Sequence, residues 1–428
     1  MAYGGGYFTT YTKKMPGTYV NFSSALKASS VLSDRGIVFF GDSLNWGASG
    51  VTTLTLSDLE TLQPILGYSQ SADEMIKIRE IFQHAKKLYL YRLDSGGTKA
   101  SNTYATAKYP GTRGNAITII IANDTEHENK FVVSTALDGT VVDSQDNIDD
   151  IDDLEDNAYV DWKTGEITLA VTAGTPLASG ANGSVTGQSY QDMLNTAESY
   201  SFNILAYDGT DSTTKALFKA FTQRMREEIG ANFQTVLYNY SANYEGIINV
   251  KNSADLVPWV AGAEAGCAVN ASIENMTYDG EMTVSANYTQ TQLIMAMDSG
   301  ELVFHKVDDD YKVLKDINSL TTFTTQKGKN FGDNTTIRVN DQIGNDVAVM
   351  FNNQIMGKVQ NDSEGRLYVW DKINDIMQAL ATARAISNYD SADLKVFAIE
   401  GDSSAIGAEI MYTPLNMLNK LYLTCIVA

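Results

Sequence analysis

The sequence of 428 residues contains few of the residues on which many protein classes depend. It has 2 cysteines, 6 prolines and 3 histidines, and 52 acidic residues outnumber 31 basic ones. Two cysteines are too few for a disulfide framework, so we expect Cys267 and Cys425 to be small buried side chains. The formal charge of −21 repels phosphate, which argues against binding to nucleic acid or to an anionic membrane surface.

Long apolar runs are also missing. No stretch reaches the length of a membrane-spanning helix, and the first residues lack the basic and apolar parts of a secretory signal, so we expect neither. Hydrophobic residues make up 43% of the chain and charged residues 19%, which is typical of a folded protein. The length is sufficient for several domains.

Catalytic and cofactor-binding motifs are scarce as well. The chain has no Walker A motif, no dinucleotide-binding glycine motif and no nucleophile elbow. His84 follows a predicted helix, His127 lies in a polar turn and His305 in a predicted strand, and no two have the spacing of a metal pair. We therefore expect no enzyme activity, no cofactor and no metal.

The densest charge run extends from Asp143 to Asp156. Calcium loops of the EF-hand type alternate their acidic ligands and need a central glycine for a sharp turn. This run has neither feature. We interpret it as a solvated acidic loop.

What the chain does have is an apolar strand pattern near each end, at residues 18–22 and 421–427. Terminal segments fray unless something holds them. An apolar strand without a guarding Lys or Pro on its outer edge invites pairing with another chain. Two interpretations stay open: these strands close the subunit's own sheet, or they join the sheets of neighbouring subunits.

Between the ends, the pattern predicts an α/β core interrupted by a β-rich insertion. Strands at 36–40 and 88–93 flank a helix that starts with a capping box at Ser71–Glu74, which indicates a parallel βαβ unit. The alternation of strand and helix resumes at Phe202, with a helix from Ser212 that ends at Gly230. The β segments predicted in the insertion include 116–121, 131–135 and 166–171.

The last third predicts a hairpin around the acidic turn Asp308–Asp310, followed by mixed helices and strands. The helices are expected at about 341–356 and 371–387, and the sheet from 394–399 and the final strand. The second helix carries an apolar stripe formed by Ile373, Ile376, Met377 and Leu380.

The predicted fold class is α/β, with mixed α+β character: a core domain split by an inserted β-rich domain, a C-terminal α+β domain and extended terminal arms. The predicted parts are an N-terminal arm (1–30), the core (31–94 and 196–310), the inserted outer domain (95–195), the C-terminal domain (311–420) and a C-terminal strand arm (421–428).

Several short segments resemble those of contractile phage tail sheath proteins, of the kind found in prophages and phage-tail-like bacteriocins (tailocins) of Gram-positive bacteria. They occur in family order over nearly the whole chain, and each is a turn or a strand and none is catalytic. The segments are Met15–Phe22, Lys108–Asn115, Thr175–Leu177, Phe202–Ile204, Asp316–Leu320 and Lys420–Tyr422.

The resemblance implies a structural subunit that forms six-fold rings stacked helically around an inner tail tube. Contraction of the sheath would drive the tube through a bacterial envelope. The implied partners are further copies of the chain, the tail tube protein, and the baseplate and tail terminator proteins. The implied location is a virion tail or phage-tail-like particle that is assembled in the host cytoplasm.

The resemblance also assigns roles to residues. The terminal arms would exchange strands between subunits, and the C-terminal domain would face the tube, with Lys372 and Arg384 as candidate contacts. The residues expected in strand exchange are Tyr19, Val20, Asn21, Phe22, Leu421, Tyr422, Leu423, Thr424, Cys425, Ile426 and Val427.

A different class, a surface-displayed carbohydrate-binding adhesin, is the alternative. Four Trp and 23 Tyr can line sugar platforms, although core and interface packing explains them as well. A monomer with affinity for glycans would favour the adhesin, whereas tubes or rings would favour the sheath.

Overall fold

The computed structural model describes residues 32–426. Its first elements are β1 (Ile37–Asp42), β2 (Gly50–Thr55), α1 (Leu62–Leu66), α2 (Ile76–Phe82) and β3 (Lys87–Arg92). Strands β1 and β3 are parallel neighbours, which confirms the βαβ unit. The unpredicted strand β2 lies antiparallel on the outer side of β3.

The start of α2 differs from the prediction. A 3-10 turn over Asp73–Met75 precedes the helix, and its N-cap is Ala72, which has no side-chain hydrogen bond to offer. The hydroxyl of Ser71 lies 3.3 Å from that of Ser69. The predicted capping box is therefore wrong, because the chain turns into the helix one residue after the serine.

The next elements are β4 (Ala105–Ala107), β5 (Ile117–Asn123), β6 (Phe131–Leu137), β7 (Thr140–Ile148), β8 (Val160–Trp162), β9 (Thr172–Pro176) and α3 (Gly187–Ala197). Strands β7, β6, β5 and β9 form a four-stranded antiparallel sheet in that order, and β4 pairs with β8.

Two predictions in this part of the chain are wrong. The acidic run does not begin as a loop, because residues 143–148 belong to the edge strand β7, where Asp146 is exposed and Asp143 is half-buried. The strand predicted at 166–171 is absent and β9 begins at Thr172 instead. Ile167 and Leu169 pack into the local core without a ladder partner.

The third group is β10 (Ile204–Tyr207), α4 (Ser212–Arg224), β11 (Gln234–Tyr238), β12 (Ile247–Val250), α5 (Val257–Gly266), α6 (Gln290–Asp298) and β13 (Glu301–Leu302). These strands complete a seven-stranded sheet in the order β13-β12-β11-β10-β1-β3-β2, parallel except for β2. Helix α4 continues as a π-turn that ends at Gly230 with a φ of 81°, as predicted.

Helices cover both faces of this sheet. One face packs on α2 and α5 around the buried Trp259, and the other packs on α3 and α4 around Phe218. Helix α5 is buried on every side, so it needs small residues where another backbone approaches. A β-carbon at Gly262 would lie 2.2 Å from the carbonyl oxygen of Ile81, which explains the glycine.

The last elements are β14 (Phe304–Val307), β15 (Asp310–Val313), α7 (Asn334–Met350), α8 (Ser363–Thr382), β16 (Ile386–Ser387), β17 (Lys395–Ile399), β18 (Asp402–Glu409) and β19 (Thr413–Pro414). The β14–β15 hairpin is confirmed. Both long helices start earlier than predicted, and α8 does so because Asp362 caps it by accepting a hydrogen bond from the Gly365 amide at 2.8 Å.

The fold class is mixed α/β, as predicted. The stripe on α8 is buried, and it forms a small C-terminal core with α7 and the short strands. Within residues 32–426, no helix combines the length and the apolar character needed to cross a membrane.

Candidate assembly surface

Apolar surface is distributed unevenly over the molecule. Within the described residues, thirteen of the twenty large apolar side chains that remain exposed lie after residue 345. Single exposed apolar side chains need no explanation, but a concentration of them marks an interaction surface. The C-terminal part of the chain is therefore the candidate interaction surface.

The chain is anchored up to Asn416. Strand β19 pairs with β16, and the amide of Leu415 donates to the carbonyl of Ala385 at 2.9 Å. The side-chain amide of Asn416 then lies 3.3 Å from the Asp333 carboxylate at the start of α7. These contacts fix the point at which the chain leaves the C-terminal core.

The terminal segment, residues 421–426, has no such contacts. Leu421, Tyr422, Leu423 and Ile426 are 87%, 89%, 75% and 91% exposed. Among residues 32–426 no hydrogen bond or ring contact involves this segment, and it forms no strand. The interpretation that it closes the subunit's own sheet is wrong for residues 421–426, because they pair with none of the described strands. Val427 lies outside the described residues.

The same exposure corrects one expectation about cysteine. Cys425 is exposed, whereas Cys267 at the end of α5 is partly buried. Burial raises the pKa of the Cys267 thiol to about 11.

Strands β17 and β18 form a two-stranded sheet of their own, so neither has a second strand partner among the described residues, although the Ser403 and Ala405 carbonyls of β18 accept hydrogen bonds from the Asn361 side chain. Val396 and Ile406 pack on the C-terminal core, while Phe397 and Ile399 on the opposite face are each 40% exposed. Gly407 lies under the Phe397 ring, where a β-carbon would be 2.5 Å from a ring carbon. The outer face of this hairpin is thus flat and apolar.

The strand β18 was missed from the sequence, although a signal was present. Gly401 stands between two β-rich runs and adopts a φ of 85°, a left-handed conformation that glycine adopts without strain. A glycine at such a place is a common hairpin marker.

An unpaired strand edge and an unpaired apolar segment are complementary. Main-chain amides and carbonyls on a free edge accept an additional strand, and alternate side chains of that strand then cover the apolar face. The C-terminal region contains both parts of such a contact, the edge of the β17–β18 hairpin and the apolar terminal segment. The terminal segment does not occupy the hairpin of its own subunit.

The four N-terminal residues predicted to exchange strands, Tyr19, Val20, Asn21 and Phe22, lie outside the described residues.

The two candidate tube contacts lie at different places. Lys372 is on α8, with its Nζ atom 3.4 Å from carboxylate oxygens of both Asp371 and Asp375. The hydrogen bond to Asp375 contributes most to raising the pKa of Lys372. Arg384 is exposed but lies past the end of α8, with a φ of 59°, so its assignment to the helix is wrong.

The histidines occupy the predicted places. His84 Nε2 lies 3.1 Å from an Asp279 carboxylate oxygen, and His127 Nδ1 lies 2.9 Å from one of Asp124 in the β5–β6 turn. Burial, and then the Lys312 charge, lower the pKa of His305 on β14. Over residues 32–426, no three His, Cys, Asp or Glu side chains converge on a position suited to a metal.

Family models match four consecutive parts of the chain. They are described as the tail sheath protein Gp18 domain III N-terminal region (35–93), and the phage tail sheath protein β-sandwich domain (95–182), central domain (183–319) and C-terminal domain (326–428).

Individual proteins agree with these models. The phage-like element PBSX protein XkdK of Bacillus subtilis is 31% identical, and the alignment covers 98% of each chain. The crystal structure of a sheath tail protein from Desulfitobacterium hafniense is 38% identical, with a TM-score of 0.79 over 93% of this chain and 100% of that one. The helical sheath of the anti-feeding prophage in its contracted state shares the fold, with 10% identity and a TM-score of 0.55 over 96% of this chain and 99% of that one. The chain described here belongs to the phage tail sheath protein family.

Proposed function

We propose that this sheath subunit polymerises as helically stacked six-subunit rings around an inner tail tube and contracts to drive the tube through a bacterial envelope. The observation that carries the proposal is the terminal segment, whose apolar side chains are left uncovered by residues 32–426 of the subunit. A second copy supplies that cover. Its free β17–β18 hairpin accepts the segment as an added strand.

The residues that exchange are those expected from the sequence, the N-terminal Tyr19–Phe22 and the C-terminal Leu421–Val427. Strand pairing across every junction keeps the lattice connected while the subunits move relative to one another. Contraction then rearranges interfaces between bistable packings rather than consuming a nucleotide. The sheath subunit has a structural role, with no catalytic step.

The further partners are the tube, the baseplate and the tail terminator, and the particle is assembled in the host cytoplasm. Within the subunit, we assign the C-terminal domain (311–420) to the tube side and the inserted domain (95–195) to the outside. The core comprises 31–94 and 196–310, and the arms 1–30 and 421–428. Lys372 and Arg384 remain candidate tube contacts, on a surface that Asp371 and Asp375 make acidic.

The carbohydrate-binding alternative loses its main support. Trp46, Trp162 and Trp259 are buried and Trp370 is half-buried, with its indole N–H donating to the Leu394 carbonyl at 2.9 Å. The first three rings are enclosed as core packing requires, and the Trp370 ring is partly covered.

The first test compares the full chain with a chain that lacks residues 421–428 by negative-stain electron microscopy over a range of concentration and salt. The full chain is expected to form tubes or stacked rings, and the shortened chain only separate subunits. A second truncation, of residues 1–22, tests the other arm in the same way.

A point variant makes the test sharper. L421S/L423S removes apolar side chains from the terminal segment and keeps its length, while the matched control L56S changes an exposed leucine on the core, 53% exposed. The double variant should lose polymers and the control should keep them. Polymers that persist in the double variant and in the truncated chain would contradict strand exchange.

A further inference from the structure

Helix α7 packs on the core through polar rather than apolar side chains. Among its apolar residues, Val339, Ile343, Val347 and Met350 belong to a C-terminal cluster that is separate from the two clusters of the core, and Ile337 is buried outside all three. Contact between the core and the C-terminal helices therefore depends on hydrogen bonds and charges. The buried polar residues of α7 are Asn334, Thr335, Thr336, Arg338, Asp341, Gln342 and Asp346.

Three charged side chains from three elements meet at the centre of this contact. Glu264 comes from α5, Asp316 from the segment between β15 and α7, and Arg338 from α7, and each side chain is at most 2% exposed. One guanidinium nitrogen of Arg338 lies 2.6 Å from Glu264 and 3.2 Å from Asp316. We name this group the buried triad.

Hydrogen-bond donors are shared unequally between the two carboxyl groups. Within the part of the chain that the structure describes, the Glu264 carboxyl group accepts from two side chains, Asn334 at 2.9 Å and Arg338. Asp316 accepts from four groups: the Ser272 hydroxyl at 2.9 Å, the Ile273 amide at 3.3 Å, the Asn334 amide at 2.8 Å and Arg338. The two carboxyl groups share the same two donor nitrogens, of Asn334 and Arg338, so they lie side by side in the interior. Burial and the repulsion between two neighbouring negative charges favour a proton on one of them, and Glu264, which has fewer donors, is the better site for it.

We infer that the buried triad connects α7 to the core and holds one proton between its two carboxyl groups, a connection that we call the joint. Separation of α7 from the core releases this proton, so the joint opens more readily as the pH rises. The inference concerns the isolated subunit and does not depend on how subunits assemble.

The charged groups around the triad support the assignment. Burial, and then the Asp316 charge, raise the pKa of Glu264 to about 8 against the pull of Arg338. Burial alone would raise the pKa of Asp316, but Arg338 and its hydrogen bonds hold it below the ordinary value. The other titratable groups that face the triad are Arg35, whose pKa burial and Arg338 lower to about 10, Cys267, Glu274 and Asp341.

The direction of the pH dependence follows from proton counting. A glutamate exposed to water has its ordinary pKa, whereas the pKa of Glu264 in the closed joint is raised to about 8. Between these values the closed joint holds one proton more than the open one. Its opening constant therefore rises about tenfold per pH unit over that interval and levels off above it.

The test is hydrogen exchange of the α7 amides in the full chain, measured from about pH 5.5 to about pH 7.5 and corrected for intrinsic exchange rates. Wild type is expected to show an opening constant that rises about tenfold per pH unit relative to Glu264→Gln. The glutamine side chain is neutral, and it can donate to Asp316 while its oxygen accepts from Arg338, but its NH2 group then faces the Asn334 donor. The E264Q joint should therefore be weaker at every pH, and its opening constant should not change over this range because no proton is released.

The matched control is Glu60→Gln, an exposed glutamate of the core, which should keep the wild-type slope. Infrared spectroscopy gives a second readout: the C=O stretch of a protonated carboxylic acid should be present in wild type at neutral pH and missing from E264Q. Equal slopes in wild type and E264Q, or the absence of a protonated-carboxyl band from the wild type at neutral pH, would each overturn the inference. The infrared band of the wild type decides the case if E264Q does not fold.

Discussion

The α/β core and the C-terminal region differ in how completely they cover their apolar side chains. In the core, a seven-stranded sheet lies between two layers of helices, and apolar residues fill both interfaces. Trp259 on one side and Phe218 on the other are fully buried. The C-terminal region leaves the hairpin face and the terminal segment uncovered. The core is complete when the subunit folds, whereas the C-terminal surface stays uncovered among residues 32–426, and we propose that other copies of the chain cover it.

The contact between the two regions differs from both, because it is made by a buried polar network. Removing a single partner from such a network costs more than removing a surface group, since the remaining charge stays buried without compensation. Substitutions in the joint, the core and the C-terminal surface should therefore affect the free energy of unfolding by decreasing amounts.

The largest effect is expected at the joint. Arg338→Met should lower the free energy of unfolding by about 3–5 kcal/mol, because it leaves Asp316 buried without its counter-charge. Urea unfolding followed by circular dichroism measures this. The control Arg384→Met removes an exposed arginine and should change little. Similar losses for both would mean that the joint contributes no more than surface charge.

A smaller loss is expected inside the core. Gly262→Ala should cost about 1–3 kcal/mol, because its β-carbon would overlap the Ile81 carbonyl and force α5 away from α2. Gly187→Ala is the matched control at the start of α3, where nothing lies within 4 Å of the new β-carbon. An equally stable Gly262→Ala protein would show that these helices can separate without penalty.

Substitutions on the C-terminal surface should affect polymer formation rather than the stability of the subunit. F397S/I399S is expected to change the free energy of unfolding by less than about 1 kcal/mol, because both side chains are already partly solvated. Polymer formation, followed by sedimentation, should nevertheless be lost. A variant that is strongly destabilised but still polymerises would mean that Phe397 and Ile399 stabilise the subunit and do not serve assembly.

The smallest effect is expected on α8. Lys372→Ala removes ion pairs to two partly exposed aspartates and should change the free energy of unfolding by less than about 0.5 kcal/mol. The same urea titration checks it. A loss above about 1 kcal/mol would mean that this lysine supports the helix rather than an outward contact.

Local pattern predicted those elements whose signal is contained in neighbouring residues. The parallel strands around α2, the helix that ends at Gly230, the hairpin at Asp308–Asp310 and the buried stripe of α8 all follow from periodicity and turn residues. Boundaries failed where a cap decided them, as at Asp362, which begins α8 well before the apolar stripe.

Elements whose stability comes from distant partners were missed. Strand β2 exists because β3 offers it an antiparallel edge, and the acidic strand β7 exists because β6 pairs with it. The buried triad was invisible for the same reason. Its three members are far apart in sequence, and an isolated Glu, Asp or Arg resembles a solvated surface residue.

The sequence by itself determined the charge of the protein, the class of its fold, the resemblance to tail sheath proteins and the apolar character of the end of the chain. Those properties depend on composition and on short-range pattern. Only the tertiary structure decided that the terminal segment lacks a partner among residues 32–426 and that the C-terminal helices are joined to the core by a buried triad. Both depend on which residues folding brings together, because burial and charge compensation are properties of neighbours in space.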